Sequence, residues 1–178
     1  MPSLRRLALL AMLAMLAMLV APPALADTLY RVELLLFRHA APLEASQRAP
    51  YDWMRDALPL AAANERVPTL GEVAARLEAS DGYRVLLHRA WQQPLGERGV
   101  RLAFSQGEPH FEHFPLQGAL GLRQGRWLEV DARFWVNRFG EYGQLLGSQY
   151  LRQTFQLRPG ELRYIDHDSL GLLIKASR

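Results

Sequence analysis

The stretch LEVDARFWV, residues 128–136, decides the fold class of this chain. Apolar residues stand at every second position, with charged residues or tryptophan between them. A period of two is typical of a β-strand with one buried face and one open face. The preceding run, residues 116–122, places its leucines on one face as well. Gln124-Gly125 separates the two runs, and this arrangement predicts a β-hairpin.

Further strands flank this hairpin in both directions. Runs rich in apolar, β-branched and aromatic residues predict strands at 30–37, 83–91, 150–157, 162–166 and 170–176. Helical spacing of apolar residues predicts one helix over 69–79. Thr69 followed by Glu72 has the spacing of a capping box at its start. We therefore predict an α+β fold, with a mostly antiparallel sheet packed against one main helix.

Residues 40–68 form a Pro/Ala-rich loop between the first strand and the helix. Four prolines interrupt both helical and strand patterns there, which predicts mostly irregular structure. A loop of this length is uncommon unless it is functional or packed against the rest of the domain. The aromatic residues Tyr51 and Trp53, followed by Met54, predict that part of it docks on the core.

Residues 1–26 have the build of a cleavable signal peptide. Arg5 and Arg6 precede an uncharged apolar run, and Ala24-Leu25-Ala26 supplies small residues at a cleavage site. The run is short for a membrane span, which needs about 20 residues; the alternative is an uncleaved anchor. The chain has no cysteine, which excludes disulfides and a lipidated N-terminal cysteine. We expect one domain over 27–178, soluble in the periplasm, with no membrane span.

The charge balance argues against nucleic-acid binding. The formal net charge is +3, and two of the positive charges lie in the leader. A domain so close to neutrality lacks the basic surface that contacts with phosphates require.

Two histidine-containing stretches are the candidates for catalysis or metal binding. In Asp166-His167-Asp168, strand alternation sends the histidine to the opposite face from the aspartates, which favours a turn between two strands. The stretch from His110 to His113 lacks the helical spacing of metalloprotease ligands. No serine elbow or glycine-rich phosphate loop is present. We predict no enzyme, metal or cofactor; the alternative is a metal-dependent hydrolase using His110, His113 and His167.

The open face of residues 128–136 and its neighbours carry the most distinctive surface. Its outward residues are predicted to be Trp127, Glu129, Asp131, Arg133 and Trp135, beside a second polar row of Arg152, Thr154, Gln156 and Arg158. Aromatic rings pack on the apolar faces of sugars, and arginine forks bind carboxylates. Peptidoglycan offers both groups. The alternative is that a helix or loop covers this face and makes the tryptophans a second small core.

Four segments in order carry a family resemblance: YRVELLLF from Tyr30, YRVLLHRAWQQP from Tyr83, LQGALGLRQGRWLEVDA from Leu116 and GELRYIDHDSLGLLI from Gly160. With these segments the chain resembles the CsiV family of periplasmic peptidoglycan-binding proteins. The resemblance implies binding to peptidoglycan, support of a penicillin-binding synthase through an outer-membrane lipoprotein activator, and no catalytic residues.

We therefore expect a peptidoglycan-binding accessory protein of cell-wall synthesis. The predicted binding residues are Trp127, Glu129, Arg133, Trp135 and Arg152. The alternative is a periplasmic protein–protein adaptor that docks through a sheet edge or the Pro/Ala-rich loop, without direct contact to the wall.

Overall fold

The computed structural model describes residues 27–39 and 45–178, and over these residues the chain forms two β-sheets. The strands are β1 Thr28–Arg38, β2 Leu58–Pro59, β3 Glu65–Arg66, β4 Arg84–Leu95, β5 Val100–Gln106, β6 Leu116–Gln124, β7 Leu128–Phe139, β8 Leu145–Leu157, β9 Leu162–His167 and β10 Leu170–Ser177. A 3₁₀ helix spans Ala62–Asn64, and one α-helix, α1, spans Gly71–Glu78. The proposed leader, residues 1–26, and the start of the Pro/Ala-rich loop, residues 40–44, lie outside the described residues.

The two sheets have five strands each. Sheet A has the order β3-β4-β1-β10-β9, and sheet B has the order β2-β5-β6-β7-β8. All pairings are antiparallel except that of β2 with β5, which makes sheet B mixed. The predicted hairpin forms as β6 and β7, with Leu122 opposite Val130 and Leu116 opposite Val136.

The main hydrophobic core lies between the two sheets. Sheet A contributes alternate residues of β1, including Tyr30 and Leu34, and Trp91 of β4; sheet B contributes Phe134 and Leu151, all fully buried. Each large apolar side chain buried in this way stabilises the fold by about 1.5–3 kcal/mol relative to an exposed one. Burial on alternate positions of strands from both sheets is the pattern of a β-sandwich.

The prediction of mostly antiparallel structure is confirmed, but the predicted α+β fold, with one sheet packed against a main helix, is corrected to two packed sheets with one short α-helix among the described residues. Helix α1 lies against β4 and has no buried residue, because the second sheet, not the helix, covers the main core. Among the described residues, no helix is long and apolar enough to cross a membrane.

The predicted capping box at the start of α1 does not form. Leu70 occupies the N-cap position, and no side chain of the helix itself caps it. Instead the buried carboxylate of Glu33, on β1, accepts hydrogen bonds from the N–H groups of Thr69 and Leu70 and from the Thr69 hydroxyl. His88 lies 2.8 Å from the same carboxylate. A residue of the sheet therefore satisfies the amide groups that a local cap would otherwise bind.

Residues 45–57 of the Pro/Ala-rich loop fold over the outer face of sheet B, whereas its later residues Glu65–Arg66 join sheet A as β3. Trp53 is buried there, as predicted, while Tyr51 stays exposed. Ser46 pairs with the edge of β8, since its N–H donates to the Ser148 carbonyl at 2.9 Å. The loop thereby divides the outer face of sheet B into a covered half and an open half.

The motif Asp166-His167-Asp168 forms the turn that the sequence predicts. β9 ends at His167, which pairs with Leu170 at the start of β10. Asp168 adopts a φ of 47°, in the left-handed region that aspartate tolerates better than most residues. The motif is thus a corner between two strands.

Candidate ligand-binding surface

The open half of the outer face of sheet B is built by two neighbouring strands. On β7, burial alternates as predicted, so that Glu129, Asp131 and Arg133 point away from the core. The register of β8 sets Gln156, Thr154 and Arg152 opposite these three residues in that order. The two polar rows expected from the sequence therefore lie side by side, and we call them the arginine face.

Trp135 does not belong to this open surface, which corrects the predicted exposed pair of tryptophans. Its side chain is only 5% exposed and lies in a second apolar cluster with Trp53, Ala103 and Leu145. Its ring stacks on Tyr150 at a centroid distance of 4.6 Å. The loop that carries Trp53 covers it, so Trp135 stabilises the fold and offers no ring face to a ligand.

Asp131 organises the centre of the arginine face. Its Oδ2 accepts hydrogen bonds from Arg133 Nη2 at 2.7 Å and from Arg101 Nη2 at 3.0 Å. Partial burial alone would raise the pKa of Asp131, but the hydrogen bond and charge of Arg133, and then those of Arg101, outweigh it and lower the pKa. The carboxylate stays charged and holds both guanidinium groups in fixed positions.

A depression of about 390 Å³ opens beside this cluster. Gly121 lies opposite Asp131 in the β6–β7 ladder and forms part of its floor. A Cβ at this position would contact the Asp131 side chain at 3.4 Å, so the missing side chain keeps the depression open. Arg98, Arg101, Arg123, Asp56, Glu129 and Thr154 form its polar walls.

Trp127 lies at the end of the arginine face and remains partly exposed. The guanidinium carbons of Arg158 and Arg126 lie 5.1 Å and 5.7 Å from its ring centroid, within the range of cation–π attraction. A depression of about 560 Å³ beside the ring is lined also by Phe155 and Arg163. An aromatic ring and several guanidinium groups are therefore within reach of one ligand.

Positive charge exceeds negative charge on this surface. The arginines are Arg98, Arg101, Arg123, Arg133, Arg152, Arg158 and Arg163, and the acids are Asp56, Glu129, Asp131 and Glu161. Arg123 pairs with Glu129, and Asp131 pairs with two arginines. Arg152 is exposed and forms no ion pair with any residue that the structure describes. The arrangement suits carboxylates, and Arg152 is one of the donors available to them.

The histidine stretches take structural positions. His113 is buried, and its Nδ1 lies 3.3 Å from the side-chain nitrogen of Gln117. His110 packs on Phe139 at a ring-centroid distance of 4.4 Å. Within residues 27–39 and 45–178, no three His, Cys, Asp or Glu side chains converge as metal ligands would.

Sequence reasoning missed Arg101 and Gly121. Arg101 lies on a strand whose alternation is only a few residues long, and Gly121 carries no side chain to mark a face. Their contribution follows only from the strand order, which sets β5 and β6 beside β7.

Comparison with known proteins identifies the family of this chain. The sequence model of a family described as "Peptidoglycan-binding protein, CsiV" matches residues 56–178. The chain belongs to the CsiV family. The matched region contains every strand of sheet B and therefore the whole arginine face. The family description names a binding activity and no reaction. No curated protein and no solved structure matches the chain significantly.

Proposed function

We propose that this member of the CsiV family binds peptidoglycan in the periplasm, as a non-enzymatic accessory protein of cell-wall synthesis. The observation that carries the proposal is the surplus of guanidinium groups on and around the arginine face, with the partly exposed ring of Trp127 beside them. The family description supports peptidoglycan as the ligand.

The binding mode follows from the chemistry of the wall. Its stem peptides carry carboxylates, which suit the guanidinium groups of Arg152 and Arg133, and Glu129 can accept hydrogen bonds from hydroxyl or amide groups. The ring of Trp127 suits the apolar face of a sugar. Trp135 takes no direct part, since it is buried. Export by a cleaved leader, residues 1–26, would bring the domain to the compartment where this ligand lies.

Sedimentation with purified sacculi tests the proposal. We expect the purified domain, residues 27–178, to sediment with sacculi at about 0.15 M salt and less completely at higher salt, because exposed charge contacts are screened. A protein that stays in the supernatant at both salt concentrations would refute wall binding.

A second candidate function, the docking of a partner protein, is favoured by the free edge of β8. The Ser148 carbonyl and the Tyr150 N–H point away from β7, since both bond to Ser46. Alternation along an antiparallel strand then directs the N–H and C=O groups of Arg152, Thr154 and Gln156 the same way. Since β8 is the last strand of sheet B, no described strand pairs with them.

The chemistry of this edge fits an extended acidic segment of a partner. Backbone groups of an edge strand pair with an incoming strand, and the flanking side chains select its sequence. Arg152 and Arg158 lie at the two ends of the free stretch, so acidic side chains fit it better than basic ones. We propose a penicillin-binding synthase or its outer-membrane lipoprotein activator as this partner.

The substitution Gln156→Pro tests the edge. It removes an N–H that points outward, where edge strands tolerate proline, and Gln156→Ala is the matched control that keeps the N–H. We expect Gln156→Pro to lose capture of the purified synthase and activator while Gln156→Ala retains it. Equal capture by both variants would exclude strand addition at this edge.

A further inference from the structure

A cluster of aromatic side chains lies on sheet A, on a different sheet from the arginine face. Phe37 of β1 is buried at its centre, and His39, Tyr83 and Tyr164 surround it. Tyr83 is 37% exposed and Tyr164 is 50% exposed. Polar aromatic residues thus remain open to solvent around a buried ring, and we call this group the aromatic platform.

The rings of the aromatic platform lie in similar planes. Phe37 and Tyr164 have an interplanar angle of 11°, at a centroid distance of 6.2 Å. Phe37 and His39 are stacked at 26°, and His39 and Tyr83 are tilted by 32° at 5.5 Å. Stacking covers one face of the Tyr164 ring with Phe37, while the half-exposed Tyr164 side chain leaves its other face to solvent.

Hydrogen-bonding groups lie beside the rings. The Tyr164 hydroxyl donates to Asp166 Oδ1 at 2.9 Å and lies 3.4 Å from His39 Nε2. His39 Nε2 also lies 3.5 Å from Asp166 Oδ1, and the side chain of Asp166 is largely exposed. Burial, followed by the hydrogen bond to the carboxylate, raises the pKa of Tyr164 to about 12. The hydroxyl therefore stays protonated, and Asp166 retains lone pairs for an external donor.

Gly171 allows the rings to lie close to the sheet. It stands opposite Phe37 in the β1–β10 ladder and opposite Asp166 in the β9–β10 ladder. A Cβ at this position would lie 2.3 Å from Phe37 Cζ and 2.9 Å from His39 Nε2. Any larger residue would displace these rings, so the arrangement of the aromatic platform requires glycine at position 171.

We propose that the aromatic platform is a second binding site, for the uncharged pyranose rings of a glycan chain. Flat aromatic faces pack on the C–H faces of pyranoses, and a carboxylate accepts hydrogen bonds from sugar hydroxyls. The charged side chain bonded to the rings is an acid, which disfavours the anionic groups that the arginine face attracts. The choice of glycan rests on the proposed function, since the sugars of peptidoglycan are linked N-acetylhexosamines.

The test uses a ligand that has sugars but no carboxylate. The tetramer of β-1,4-linked N-acetylglucosamine is titrated into the purified protein and followed by calorimetry and by amide NMR shifts. We expect saturable binding, with the largest shifts around His39, Tyr83 and Asp166. Since aromatic stacking has a modest energy, Tyr164→Ala should weaken binding by about tenfold.

Two variants serve as controls. Tyr142→Ala removes a tyrosine that is 81% exposed and lies away from the platform, and Arg55→Ala removes an arginine side chain that is 76% exposed in the loop on sheet B. Both should bind the tetramer as wild type does. Gly171→Ala, which keeps every ring but displaces two of them, should weaken binding; if it fails to fold, the wild-type shift map still decides the site.

Absence of saturable binding, shifts located elsewhere, or equal affinity of folded Tyr164→Ala would overturn the proposal. These failures are separable from failure of the proposed function. Wild-type sedimentation with sacculi that Arg152→Ala weakens, together with no tetramer binding, would retain the arginine face and exclude the platform.

Discussion

Trp127 and Trp135 belong to the same row of residues that was predicted to face outward, but Trp127 is partly exposed and Trp135 is buried. Trp135 stacks on Tyr150 beneath the loop that carries Trp53, whereas Trp127 lies partly open beside Arg158. The sequence predicted an exposed pair, and the structure separates one structural tryptophan from one available to a ligand.

We therefore expect substitution of Trp135 to reduce stability and substitution of Trp127 to reduce wall binding. Trp135→Ala should destabilise the fold by about 3 kcal/mol or more, because it leaves a cavity in the second apolar cluster. Trp127→Ala should change the free energy of unfolding by less than about 1 kcal/mol, and it should weaken sedimentation with sacculi. Urea unfolding measures the first effect; equal stability losses in the two variants would contradict this assignment.

Arg152 should affect binding and leave stability nearly unchanged. Arg152→Ala removes an exposed guanidinium with no described ion pair, so we expect about three- to tenfold weaker wall binding from a lost charge-assisted hydrogen bond. Arg152→Lys should restore part of it, since lysine keeps the charge but loses the planar fork. Arg76→Ala, on helix α1, is the matched control. Identical affinity of all four proteins would remove Arg152 from the site.

The lowered pKa of Glu33 in the folded protein predicts how the free energy of unfolding changes with pH. Burial would raise its pKa, but hydrogen bonds from Thr69, Leu70 and His88 outweigh burial and lower it below 4.5. A lowered folded-state pKa contributes stability that is present above the unfolded-state value and is lost as pH falls through the folded-state value. The stability difference between wild type and Glu33→Gln should therefore be largest near neutral pH and narrow below pH 4.5.

Urea unfolding from pH 7 to pH 3 measures this difference. Glu72→Gln, in the first turn of α1, is the control for charge at the start of the helix. A gap between wild type and Glu33→Gln that stays constant across this range would show that the charge of Glu33 is not what stabilises the helix start.

The turn at Asp168 predicts a backbone effect. Because its φ is 47°, Asp168→Gly should be tolerated, while Asp168→Val should cost about 1–2 kcal/mol from steric strain in the left-handed region. Asp168→Pro should cost more, since proline fixes φ near −65°. Thermal unfolding of the three variants would contradict the structure if Asp168→Val matched wild type.

Local sequence patterns predicted most strands, because the alternation of apolar and polar residues that marks a strand lies within one short segment. The hairpin at Gln124-Gly125, the first strand and the turn at Asp168 all follow from a few neighbouring residues. The contribution of Glu33 to the start of α1 was missed, since the two are 36 or more residues apart in sequence. The stacking of one sheet on another was missed for the same reason.

In the candidate site as well, local patterns predicted some residues correctly, while features that depend on distant residues were missed. Alternation placed Glu129, Arg133 and Arg152 on an open face, since each lies on a long strand with a clear period. It could not show that Trp135 is covered, because the covering residue, Trp53, belongs to a loop without periodicity. Its burial depends on tertiary packing alone.

Wall binding by wild type and by the double variant Trp127→Ala/Arg152→Ala tests the central claim most directly. Bound fractions are measured by sacculus sedimentation over a range of sacculus concentrations, with folding checked by circular dichroism. The control is Tyr142→Ala/Arg76→Ala, which removes one exposed aromatic and one exposed arginine elsewhere. We predict at least about tenfold weaker binding for the first variant, from the loss of a stacking and a charge contact, and wild-type binding for the control. Unchanged binding by a folded Trp127→Ala/Arg152→Ala protein would contradict the assignment of the arginine face.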